Sequence, residues 1–179
     1  MRPSFSVLAL SIVLASAPAF AQQAGKMSSQ DREFIPEAVT DNMLQVDLGT
    51  MAEQHGANPE VRKFGQRMVE DHGKFNKEIT GIAERDGMAP PKQISADQQR
   101  EVDRLSSLQG EAFDNAYMPM MVQEHQKYVK TYQKEIDEGQ NSAVKRYAQD
   151  TLPTLKEHLS MAQSIAPQGA AMPESGGRE

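Results

Sequence analysis

Apolar residues in this chain recur at alternating spacings of four and three, and no stretch alternates apolar with polar in the manner of a strand. That period fixes the class, because it places one apolar stripe along each of several helices and requires the stripes to meet. One seam reads Val61, Gly65, Met68, His72, Phe75, Ile79 and Ile82. Another reads Met118, Met121 or Val122, His125, Val129, Tyr132 and Ile136. A third reads Val144, Ala148, Thr151, Leu155, His158, Ala162 and Ile165. The fourth is less regular: Phe34, Ala38, Asp41, Gln45, Leu48 and Ala52.

The punctuation between seams sets the order of the helices. The first long helix runs from about Asp31 to His55 and stops at Gly56, with Pro36 expected to kink or delay its first turn. Asn58 and Pro59 open the second as N-cap and first helical residue, and it runs to Asp86-Gly87. Ser95 to Gln98 form a capping box for a short helix ending near Leu108, packed by Val102, Leu105 and Leu108. The third long helix covers Glu111 to Glu138 and the fourth runs from its cap Asn141 to Ala166, with Pro153 expected to bend it. "HGANP" and "EGQNS" make two tight antiparallel hairpins, and the segment from Gly87 to Gly110 is long enough to cross the bundle between them. The expected fold is all-α: a ferritin-like four-helix bundle with one long crossover containing a short extra helix, its second and third long helices parallel.

The ends have another character. Arg2, the apolar run "FSVLALSIVLASA" and Ala19-Phe20-Ala21 read as a secretory signal peptide over residues 1–21, which implies the periplasm. Residues 22–30 read as a flexible N-terminus, 31–166 as the bundle domain and the Pro/Gly-rich 167–179 as a disordered tail. No later stretch is long and apolar enough to span a membrane. The chain has no cysteine, so an exported product must rely on its core. Its net charge of −6 becomes −7 once Arg2 is cleaved away, which argues against nucleic acid as a partner.

Three of the four histidines follow a carboxylate directly, in "MVEDHGK", "MVQEHQK" and "TLKEHLS". His72, His125 and His158 each interrupt an apolar seam. Counted from the hairpin turns, His72 lies 15 residues after Ala57 and Gln45 12 before it, while His125 lies 15 before Gln140 and His158 18 after it. At about 1.5 Å per residue, hairpin partners differ in height by only ~4–5 Å. Three imidazoles and the Gln45 amide can therefore converge at mid-bundle, as ligands of one transition-metal ion (Zn, Cu, Ni or Fe) or as a metal-free polar network. Neighbouring helix positions are ~100° apart, so Asp71, Glu124 and Glu157 point sideways, where each can accept a ring N–H from a neighbouring helix or sit solvated. Val69, Val122 and Leu155 occupy the positions three before each histidine, so a carboxylate-bridged di-iron centre is not expected. Met68 and Met121 stand one turn before His72 and His125, either as core or as soft ligands for copper. His55 is expected to complement its helix dipole. Asp114 is expected to cap or pair near the bundle end, with Tyr147 or Lys145 as candidate partners. Neutral imidazoles are the ligands, so metal affinity is expected to fall below pH ~6.

The segments "FIPEAVTDNMLQVDLGTMA", "NPEVRKFGQRMVEDH", "LSSLQGEAFDNAYMPMMVQEH" and "LPTLKEHLSMA" together resemble the bacterial family called domain of unknown function 4142, often labelled predicted outer membrane protein. The resemblance covers about Asp31 to Ile165 and implies a ferritin-like bundle; it implies no reaction, and no barrel pattern accompanies the label. Family members commonly carry Glu at the position of Gln45, which here offers only a neutral carbonyl. The expectation is a periplasmic metal-binding bundle acting in metal handling or stress protection. A metal-free structural or protein-interaction bundle and a metal-dependent redox or hydrolytic enzyme are the alternatives.

Overall fold

Ser28 caps the first helix by accepting from the Asp31 backbone N–H, while the Asp31 side chain accepts from the Ser28 backbone. This capping box starts α1 at Ser29, earlier than the expected Asp31, so residues 29 and 30 belong to the bundle and not to a flexible lead-in. The computed structural model describes residues 26–166; the expected signal peptide and tail lie outside the described residues. The helices are α1 (Ser29–His55), α2 (Pro59–Arg85), α3 (Ala96–Ser106), α4 (Gly110–Glu138) and α5 (Ser142–Ile165). Asn58, Ser95 and Asn141 cap α2, α3 and α5 as their sequence positions require. The helices continue through Pro36, Pro119 and Pro153. Gly87 ends α2 at φ 74, with its N–H on Glu84 and that of Met88 on Ala83, the paired bonds of a left-handed C-terminal cap.

The ends of the helices reveal the topology. Asp114 at the start of α4 accepts from the backbone of Ala57 and Asn58 at the start of α2. At the far end, Asn141 just beyond α4 donates to Asp86 just beyond α2. So α2 and α4 run parallel, and the segment between them crosses the length of the bundle, the ferritin-like arrangement. Within that crossover, α3 lies over α1 and α4, burying Leu105 completely with Val102 and Leu108 partly buried beside it. Asp114 does pair at the bundle end, but not with Tyr147 or Lys145. Both follow the α4–α5 turn, and so sit at the opposite end from the start of α4.

The core is divided in two. One apolar cluster gathers Phe34, Ile35, Val39, Ile79, Tyr128, Tyr132, Val144 and Leu155 with their neighbours. The other gathers Leu48, Phe64, Met68, Leu105, Phe113, Met118, Met121 and Ala162 with theirs. Between these two groups, on all four long helices, stand buried polar residues: Asp41, Asn42 and Gln45 on α1, Asp71 and His72 on α2, His125 on α4, His158 on α5. A polar belt across a bundle this size forgoes apolar burial between its two apolar clusters.

α1 and α2 approach most closely at Gly49 and Gly65. A Cβ on Gly65 would stand 2.6 Å from the Gly49 carbonyl oxygen and 2.7 Å from the Ala52 Cβ, neither of which can swing away. Gly65→Ala should therefore destabilise the fold by about 1–3 kcal/mol despite the better helix propensity of alanine. Gly73→Ala on the same helix, where a Cβ would meet nothing within 4 Å, is the control. Equal urea midpoints for the two variants would show that the close approach is unimportant.

Candidate metal centre

The seam period turns His72, His125 and His158 into the bundle from three helices, and the crossover brings them to one level. Their ring centroids form a triangle with sides of 5.8, 5.4 and 5.4 Å, and the residues are at most 1% exposed. One nitrogen from each ring lies within 4.8 Å of the others.

Each ring spends its other nitrogen on a fixed acceptor. His72 Nδ1 meets Asn42 Oδ1 at 2.8 Å, His125 Nδ1 meets the Met121 carbonyl at 2.8 Å, and His158 Nε2 meets Asp71 Oδ2 at 3.0 Å. A carbonyl or a carboxylate can only accept, so these nitrogens carry the protons and donate. The tautomers follow: His72 Nε2, His125 Nε2 and His158 Nδ1 are left with bare lone pairs, and among the described residues these ring nitrogens are buried without a hydrogen-bond partner. Three acceptors that face one another cannot satisfy one another. A single ion bound at ~2.0–2.1 Å needs its nitrogens about 3.3–3.6 Å apart, a small adjustment from the observed spacing.

Electrostatics keep the rings neutral. Burial, and then the neighbouring His125 and His158, hold the His72 pKa well below that of a free imidazole. Burial and His158 bring His125 down to about 3. Burial also lowers His158, with Asp71 opposing it. Burial pushes the Asp71 carboxyl up, but hydrogen bonds from Arg67 and His158 outweigh it and hold Asp71 below the usual carboxylate range.

Of the three carboxylates that precede a histidine, only Asp71 reaches a ring, and that ring belongs to the neighbouring helix, α5. Glu124 faces α1, where it lies with Asp41 and Lys127; α1 brings no histidine to this level. Glu157 stays exposed on α5, close enough to Arg67 to reinforce its charge. Gln45 is fully buried, as its seam position requires; its Nε2 donates to the Tyr128 hydroxyl at 3.0 Å, and its Oε1 has no partner. Met68 and Met121 are buried in the second apolar cluster. His55 stands apart, bonded through Nδ1 to the Leu108 carbonyl of the crossover.

Sequence reasoning missed two residues. Asn42 holds His72 and donates its own Nδ2–H to the Tyr147 hydroxyl at 3.1 Å. It sits one turn from Gln45 on a helix whose buried face mixes polar with apolar residues, so its spacing alone does not separate it from Asp41. Arg67, one turn before Asp71 and bonded to it, had a signal available in the i, i+4 acid–base pairing.

The model of the family described as Domain of unknown function (DUF4142) matches residues 16–165. No curated protein sequence matches the chain. Among solved structures, a DUF305 fragment from Deinococcus radiodurans is similar with a TM-score of 0.68 at 18% identity, covering 78% of this chain and 96% of its own. A DUF305 protein from Streptomyces coelicolor gives a TM-score of 0.68 at 13% identity, covering 80% and 97%. CopM in the Cu(I)-bound form gives 0.64 at 19% identity, covering 75% and 93%. Likeness at these identities establishes the shared helical fold.

Proposed function

The chain belongs to the DUF4142 family, and we propose that it is a periplasmic metal-handling protein in which His72, His125 and His158 hold one transition-metal ion. The observation that carries this reading is the set of three inward, unpartnered lone pairs, each ring held in the required tautomer from behind. A metal-free network of the same residues would leave all three unsatisfied at a cost of roughly 1–3 kcal/mol each. Gln45 Oε1, a fourth buried acceptor without a partner, is the candidate for a further ligand. The periplasmic part rests on the signal peptide expected from residues 1–21.

Charge favours a monovalent ion. The three imidazoles are neutral, and the charge of Asp71 is already answered by Arg67 and Lys74. The cost of burying a charge grows with its square, so Cu(I) suits this site better than Zn(II) or Fe(II). Imidazole nitrogen is an accepted donor for copper, and a neighbour of this fold is known in a Cu(I)-bound form.

Titration of chelator-stripped protein with Cu(I), Zn(II) and Fe(II) should give saturable uptake of one ion per chain, tightest for Cu(I). Because burial keeps His72 and His125 neutral well below their ordinary range, binding should hold below pH 6, where the sequence alone sets the onset of its loss. Absence of saturable uptake would leave the metal-free bundle as the better account.

A further inference from the structure

We infer that an ion reaches the triad along the seam between α2 and α5, with Asp71 as the rim carboxylate on that path and Arg67 as its latch. This rests on the metal reading above. The triad is closed to solvent, so its wall must open somewhere, and the three outward hydrogen bonds mark where. His72 leans on Asn42, which is 1% exposed, and His125 leans on a backbone carbonyl inside its own helix. Neither touches the surface. His158 leans on Asp71, whose side chain is 11% exposed and is held in turn by Arg67 and Lys74, at 45% and 74%. Solvent and triad are thus separated here by a single side chain.

The rival walls are covered. On the α1–α4 side, α3 lies across the seam, Gln98 donates to Asp41, and Lys127 bridges Glu37 and Asp41. The groove of about 880 Å³ beside α1 and α2, near Gly73 and Asn76, is lined by none of the three histidines and not by Asn42. On the α2–α5 side, Asp71 is covered by the more exposed Arg67 and Lys74 side chains. Arg67 is itself half exposed and can swing into water, while Lys74 stays beside Asp71 to answer its charge. The freed Asp71 oxygen then offers a cation an anionic foothold beside His158, the one ligand whose free nitrogen is Nδ1 and whose Nε2 faces the rim.

The test is the kinetics of transfer, with Cu(I) supplied from, and trapped by, a chromophoric chelator. Arg67→Ala should speed loading and release alike, each by about tenfold or more, with little change in affinity. A latch acts on both directions, whereas a simple field effect from removing a positive charge would speed loading and slow release. Lys127→Gln on the α1–α4 side and Gly73→Val in the groove should leave both rates unchanged. Faster loading with slower release in Arg67→Ala, unchanged rates in that variant, or an effect of Lys127→Gln or Gly73→Val instead, would overturn the route while leaving the metal site standing. A wild type that takes up no Cu(I) at all would instead sink the metal reading.

Discussion

His125→Leu should melt at a higher temperature than metal-free wild type and should lose saturable metal uptake. The two effects have one cause. His125 Nε2 is a fully buried acceptor without a partner, and it faces two more of the same kind. Leucine of similar volume removes that orphan and joins the two apolar clusters across the belt. The gain should be about 1–2 kcal/mol, the scale of one relieved acceptor, or roughly 2–4 °C per kcal/mol in a chain of this size. Nothing else is stranded among the described residues, because His125 donates to the Met121 carbonyl, which keeps its ordinary helical bond. The other two positions differ. His158→Leu would leave Asp71 facing an apolar wall, and His72→Leu would leave Asn42 Oδ1 without its donor, so both should lose stability. All three should weaken metal binding by more than the 10–100-fold typical of a lost supporting residue. Stability sacrificed in the metal-free state and recovered on loading is what distinguishes a binding site from a structural network. Thermal melts with and without Cu(I) decide it: a His125→Leu protein that melts below metal-free wild type would mean the triad is a satisfied part of the core.

That contrast also explains what the sequence makes legible. The seams announce three histidines at matched heights because helical period and hairpin length are both local, countable properties, and the structure brings those rings together. Connection lengths give the crossover for the same reason. Partner choice is a different matter, because it depends on which helix lies on which side. The i−1 carboxylates of α2 and α4 both turn sideways, yet Asp71 turns toward α5 and finds His158, while Glu124 turns toward α1, which carries none. Asn42 is hidden by its helix: α1 buries Asp41, Asn42 and Gln45 together, so no single stripe identifies the residue that serves His72. Asp114 illustrates the same limit at larger scale, since its partner depends on end-to-end parity and not on facing direction.

The second large effect belongs to the far end of the bundle, where Asp31→Ala should cost about 3 kcal/mol or more. Asp31 is fully buried and accepts from the Ser28 backbone and hydroxyl, both at 2.6 Å, and from the Gln140 and Asn141 backbones, each at 3.1 Å. It thus fastens the start of α1 to the α4–α5 turn, and its loss removes an acceptor from the buried Asn141 N–H and the partly buried Ser28 and Gln140 N–H groups. Burial raises its pKa, but the Ser28 bonds, followed by those from Glu135 and Asn141, outweigh this and hold it below the usual carboxylate range. Its neighbour Glu135 takes the opposite part. Burial first, then the bond to Asp31 and its charge, push Glu135 up to about 8, so at neutral pH it holds the proton that the pair shares. Folded Glu135 thus binds a proton that the unfolded chain releases near 4.5, so its contribution to stability is present at low pH and is lost as pH rises toward 8. The slope is about 1.4 kcal/mol per pH unit for a fully coupled group. Glu135→Gln mimics the protonated form and should remove that slope. The triad has the reverse sign, because its imidazoles are depressed: its stability is lost as pH falls below 6.5. Urea midpoints compared between pH 7 and 9 therefore isolate Glu135 from the histidines. There the wild type should weaken steadily up to about pH 8, the Gln variant should weaken less, with only the small remainder from Asp41, which burial raises to about 7, and Asp31→Ala should be weak throughout. Parallel curves for wild type and Glu135→Gln would show that the two carboxylates share no proton.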